Sequence, residues 1–179
     1  MSNYLVATAK PWNAAAFERN TPGLPGNWQL ITRPEDLTVD LVERLRPRYI
    51  FFPHWSWKVP PGILERAECV CFHMADVPYG RGGSPLQNLI ARGHRSTMLS
   101  ALRMVEELDA GPVYLKRPLD LAGRAQETFE RAAGLAYAMI AEIVRTEPEP
   151  APQAGEAVVF PRRTPAMSRL PEDVDLADL

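Results

Sequence analysis

The chain of 179 residues reads as an α/β protein with a mostly parallel, twisted sheet covered by helices on both faces. Three observations predict this. Short apolar runs alternate with helical patterns over the first two thirds of the chain. Two of the runs, "YIFFP" (49–53) and "CVCFH" (69–73), are continuously apolar, as in strands buried on both faces. The longest helical pattern, alanine-rich with an apolar stripe, follows the last strand pattern and is long enough to cover a sheet face.

In chain order, "YLVATA" (4–9) predicts a first strand and "WQLIT" (28–32) a second. Leu37, Leu41, Val42 and Leu45 at helical spacing, after Pro34 and two acids, predict a helix over 34–47. Strands at 49–53 and 69–73 come next. "PLQNLIARG" (85–93) predicts a short helix ending at Gly93; "TMLSALRM" (97–104) and "PVYLKRPL" (112–119) predict further strands. The long helix covers 124–146. Composition then shifts at "EPEPAPQAGE" (147–156), expected to be a solvated linker extended by its prolines. The domain reading is therefore 1–146 as the folded domain and 147–179 as a Pro-rich linker and tail, truncated if the chain belongs to a longer protein. "PEDVDLADL" within the tail reads as the first turns of a helix.

A net charge of −2, without a basic run longer than two residues, argues against a nucleic-acid or anionic-membrane surface. No apolar run approaches the ~20 residues of a membrane span. Cys69 and Cys71, spaced C-x-C, match neither a zinc site nor a disulfide framework. The expectation is a soluble, cytoplasmic protein with reduced thiols, no metal and a homodimer left open.

The stretch "FHMADVPYGRGGSP" (72–85) draws attention because parallel sheets bind ligands outside the carboxyl ends of their strands. His73 occupies such an end, at the mouth of a loop of glycines and prolines. The bland alternative is a histidine that caps the strand against a carbonyl. Downstream, "EELDAGPVYL" puts Asp109 in a second glycine-containing loop between two strands. If those strands are neighbours, the two side chains converge, and a carboxylate holding an imidazole is the minimum apparatus for general acid–base work.

At these residues the sequence resembles the formyltransferases that use 10-formyltetrahydrofolate, in particular the methionyl-tRNA and sugar N-formyltransferase branches. The matching pattern is His73, Pro78, Arg81, Gly82, Pro85 and Asp109–Gly111, over roughly residues 49–120. The resemblance implies a Rossmann-like formyltransferase fold. It implies formyl transfer from 10-formyltetrahydrofolate to the amine of a small acceptor, such as an amino sugar. A whole tRNA is not expected, since that branch uses a further C-terminal domain. His73 and Asp109 are implied as the acid–base pair. Pro78, Leu108, Asp109, Ala110 and Gly111 are implied at the cofactor, and Tyr79, Arg81, Gly82 and Trp57 at the acceptor.

The chain departs from the family at position 71, where Cys71 replaces the usual asparagine. A thiol is a weak donor compared with an amide, so a substitute donor is sought at Asn88, Ser84 or a loop N–H. Asn88 is also readable as an exposed polar residue, Arg81 as a brace for its loop, Tyr79 and the tryptophans as ordinary packing, and Asp76 as a turn former. Two other readings stay open: a folate-binding protein without turnover, and a hydrolase of formyl-folate. A dinucleotide oxidoreductase is disfavoured, because "ATAKPWNAAAF" lacks the G-x-G-x-x-G phosphate cradle.

Overall fold

A computed structural model describes residues 1–168. Six strands form the main sheet in the order β2-β1-β3-β4-β6-β7: β1 Asn3–Ala7, β2 Asn27–Ile31, β3 Tyr49–Pro53, β4 Glu68–His73, β6 Ser96–Arg103 and β7 Val113–Asp120. The first four are mutually parallel; β6 and β7 run antiparallel to β4 and to each other. The expected mostly parallel sheet is present, with an antiparallel edge. Every residue of β3 is buried, as its unbroken apolar run predicts. Phe51 and Phe52 point to opposite faces, and burying each is worth about 2–3 kcal/mol.

Helix α1 (Pro11–Asn20) and helix α5 (Ala125–Thr146) cover one face; α2 (Val39–Leu45) and α3 (Pro61–Leu64) cover the other. The long helix begins one residue after its expected start and buries Ala132, Ala133, Ala136, Tyr137, Ile140 and Ile143. Tyr137 Oη donates to the Asn13 carbonyl at 2.9 Å and ties α5 to α1. The helix expected over 34–47 is shorter. Pro34–Asp36 makes a 3-10 turn, and Thr38 starts the α-helix afresh by accepting the Leu41 N–H at 3.1 Å. Helix α4 (Pro85–Ala91) stands where the short helix is expected.

Residues 72–85 are more than loop, since Tyr79–Gly82 forms β5, which pairs in parallel with β8 (Val158–Phe160). The stretch expected to be a solvated linker departs from that expectation beyond residue 150. Ala151 bridges to Val113, and Phe160 is buried against Leu86, Leu89 and Leu119. Its prolines still act as extended chain, but the backbone groups around them find strand partners. The expected helical start at "PEDVDLADL" lies outside the described residues. No described helix is long and apolar enough to cross a membrane.

Candidate active site

Strand β4 delivers His73 at its carboxyl end, on the same sheet face as Cys69 and Cys71 by the two-residue alternation of a strand. After β6, Met104 N–H bonds the Cys69 carbonyl, and the chain then runs back along β4 until Asp109 reaches the level of His73. Gly111 permits the return, since a Cβ there would lie 1.8 Å from the Arg103 carbonyl oxygen. The expected convergence is therefore observed. His73 Nδ1 and Asp109 Oδ2 are 3.5 Å apart, and each side chain is only 9% exposed.

Both partners are held from the loop after β4. His73 Nε2 lies 2.7 Å from the Gly80 carbonyl oxygen. A carbonyl only accepts, so Nε2 carries the proton and Nδ1 is left facing the carboxylate. Gly82 N–H donates to Asp109 Oδ2 at 2.9 Å. Gly82 has φ +96°, and a Cβ would meet the Phe160 carbonyl oxygen at 2.7 Å, so only glycine fits. Asp109 itself has φ +55°, a left-handed conformation that needs outside support.

Cys71 sits half-buried between Phe52 and Leu102 on the neighbouring strands. Burial, reinforced by the Asp109 charge, pushes its thiol well above the usual range. It keeps its proton and is no thiolate nucleophile. Cys69 is core packing, as expected.

Asn88 is not the substitute donor. It is buried, and its amide N–H groups are spent on the carbonyls of Gly83 (3.0 Å), Ser84 (3.0 Å) and Pro161 (2.8 Å). It ties the loop to the tail instead. Ser84 Oγ accepts the Arg163 N–H at 3.1 Å and so also ties the loop to the tail, a bond that leaves its own O–H unused. Arg81 is a brace rather than a free anion ligand: its Nε and Nη2 donate to Gln153 Oε1, and Nη1 faces Glu107. Tyr79 packs edge-on against Phe160 and contacts His94 through its hydroxyl, not a free stacking surface. The Pro78 carbonyl accepts from Val158, which makes it a shaper of the loop. Asp76 is the turn former, and it pairs with Lys116.

Two large apolar side chains remain in solvent at this end of the sheet. Leu108, which precedes Asp109, is 67% exposed, and Trp57, in the loop after the adjacent strand β3, is 45% exposed. On the other face, the crevice between β1 and β3 is the switch point of strand order. Trp12, His54 and Phe129 cluster there beside Lys10. Burial pushes the His54 ring down to about 4, and the Trp12 indole N–H is buried without a partner among the described residues.

Sequence reasoning missed Gln153, whose amide contacts both loops of the site. Nothing in a Pro- and Glu-rich stretch signals such a role. An open groove of about 1060 Å³ lies at the other end of the sheet around Asn3, Arg46, Arg48 and Arg66. It brings no acid–base pair together.

No protein-family model matches the chain. Over 129 residues, 70% of its length, it is 30% identical to a methionyl-tRNA formyltransferase of Rickettsia felis, 41% of which is covered. The chain thus spans under half the length of the curated relatives it matches. The structure resembles the solved methionyl-tRNA formyltransferase from Clostridium thermocellum with a TM-score of 0.94 and 43% identity, covering 99% of this chain and 80% of that one. HypX from Aquifex aeolicus in complex with tetrahydrofolic acid shares the fold, with a TM-score of 0.80 at 21% identity, covering 97% of this chain and 32% of that one.

Proposed function

This chain belongs to the formyltransferase family, and from that premise we propose that it moves a formyl group from 10-formyltetrahydrofolate to the amine of a small acceptor. The observation that carries the reading is the buried approach of His73 Nδ1 to Asp109 Oδ2 at 3.5 Å, at the carboxyl end of a parallel strand. That gap is longer than a direct hydrogen bond, so the carboxylate is not saturated by the ring.

The bound folate supplies the formyl carbon and, in its N10 nitrogen, the leaving group. Leu108, exposed beside Asp109, offers apolar surface that suits a flat pterin ring, and Trp57, exposed in the loop after β3, offers apolar surface on the acceptor side. With Nε2–H fixed on the Gly80 carbonyl, His73 Nδ1 is the ring nitrogen able to accept a proton from the attacking amine. Asp109 steadies the imidazolium that results, and His73 then returns the proton to the departing nitrogen. Cys71 offers only a thiol toward the charge developing on the formyl oxygen, so turnover is expected to be slow for the family.

One observation favours a second reading, with the aminoacyl end of methionyl-tRNA as acceptor: the 43% identity to the Clostridium thermocellum enzyme. The net charge of −2 and the lack of a basic run weigh against it.

Calorimetry with tetrahydrofolate, followed by transfer assays from 10-formyltetrahydrofolate to amino sugars and to methionyl-tRNA, tests the proposal. Micromolar folate binding and formylation of a small amine are expected. No binding at high micromolar folate would overturn the reading, and exclusive use of the tRNA would select the second.

A further inference from the structure

Gln153 lies just beyond the point where Ala151 pairs with Val113, through hydrogen bonds of 2.7 and 2.9 Å in both directions. This pairing sets its side chain over the active-site loops. Its Nε2 donates to the carbonyls of Asp109 and Gly111, both at 2.8 Å. Its Oε1 accepts from Arg81 Nε at 3.0 Å and Nη2 at 2.9 Å. An amide has two N–H donors and two lone pairs; all four are used here, two on each loop.

The residues it grips matter. Arg81 stands between Gly80, whose carbonyl fixes His73 Nε2, and Gly82, whose N–H holds Asp109 Oδ2. Asp109 and Gly111 are the loop that carries the carboxylate. Asp109 keeps a left-handed backbone, which a non-glycine residue holds only where its neighbours impose it. No other described side chain bonds the backbone of one loop and a side chain of the other in this way.

We propose that Gln153 is a positioning residue that sets the separation of His73 and Asp109 by clamping their two loops together. The inference rests on the formyl-transfer reading for its kinetic consequence but not for its structural one. The segment after α5 is then the part of the chain that completes the acid–base pair. Arg81 serves as the clamp's other jaw.

The test uses Gln153→Ala, which removes both arms, and Gln153→Glu, which keeps an acceptor for Arg81 but turns a carboxylate toward the Asp109 and Gly111 carbonyls. Both are expected to lower kcat about tenfold to a hundredfold, the effect of a misplacement on the order of 1 Å, with KM for the folate little changed. In an Asp109→Asn background, Gln153→Ala should add no further loss, because it acts through that carboxylate. Amide exchange supplies a readout without catalysis: the Gly82 N–H, bonded to Asp109 Oδ2, should exchange faster in Gln153→Ala. Unchanged Gly82 exchange overturns the clamp, and so does a loss of kcat that adds fully to that of Asp109→Asn. If the wild-type chain transfers no formyl group at all, the functional reading falls, while Gly82 exchange still decides the clamp.

Discussion

Strand β4 begins at Glu68 and ends at His73, and the two ends treat a carboxylate differently. Glu68 is met by Arg48 Nη1 at 2.6 Å, Arg103 Nη2 at 2.6 Å and the Tyr114 hydroxyl. Hydrogen bonds from Tyr114 and the two arginines outweigh its burial and pull its carboxyl down to about 2. At the other end, Asp109 has one firm hydrogen bond, from the Gly82 N–H, and faces a ring nitrogen across 3.5 Å. The first carboxylate has its charge answered on every side and ties β4 to β6, β7 and the residue that leads into β3. The second is held in place but left partly unanswered, as an acid–base group must be if a substrate is to complete its bonding. A groove of about 1060 Å³ opens at the saturated end, while donor and acceptor accounting points to the other end.

Breaking the reactive end should have the largest effect. His73→Ala and Asp109→Asn are each expected to lower single-turnover formyl transfer by about 10²–10⁴, with thermal midpoints close to wild type. Equal rates in both variants and wild type would remove the contrast between the ends. Combining the two should cost little more than either alone, since they act as one unit.

A second change sharpens the comparison from inside the strand. Cys71 shares the face of His73 and lies within reach of the Asp109 charge. Cys71→Asn restores an amide donor there. Transfer is expected to rise by about tenfold to a hundredfold, with a stability loss of about 1 kcal/mol from the larger side chain between Phe52 and Leu102. A rate at or below wild type, in a variant that folds, would mean that the formyl oxygen already finds its donor elsewhere.

What the sequence made legible follows the range of the forces involved. β3 and β4 are readable because an unbroken apolar run has few other places to go. The pairing of His73 with Asp109 is readable because residue types and spacing survive as a pattern. Helix 34–47 came out short because Thr38 caps at its own position and isolates Pro34–Asp36 in a separate turn. Helix α1 was overlooked although Pro11 at its first position and three alanines support it. The role of Asn88 and the strand at 158–160 depend on hydrogen bonds to backbone more than 70 residues away, which no local pattern encodes. For the same reason Gln153 reads as linker until Val113 is placed beside Ala151.

The smallest effect belongs to the saturated end and concerns stability. Glu68→Gln keeps the shape but removes the charge that Arg48 and Arg103 share. A loss of about 1–2 kcal/mol is expected, toward the low end because Arg48 keeps Glu147 and the cluster is partly solvated. Formyl transfer at neutral pH should match wild type, since Glu68 lies at the opposite end of β4 from the reaction. The pH dependence fixes the cause. The folded-state value of Glu68, about 2, lies below its ordinary 4.5, so the unfolded chain takes up the proton first on acidification. The stabilisation from Glu68 is therefore complete above about pH 4.5 and drains away as pH falls toward 2. In urea titrations, the gap between wild type and Glu68→Gln should be constant from pH 7 to 5 and narrow steadily below 4.5. A gap that keeps its size down to pH 3 would show that shape rather than charge holds this end together, and the contrast between the two carboxylates would then rest on His73 and Asp109 alone.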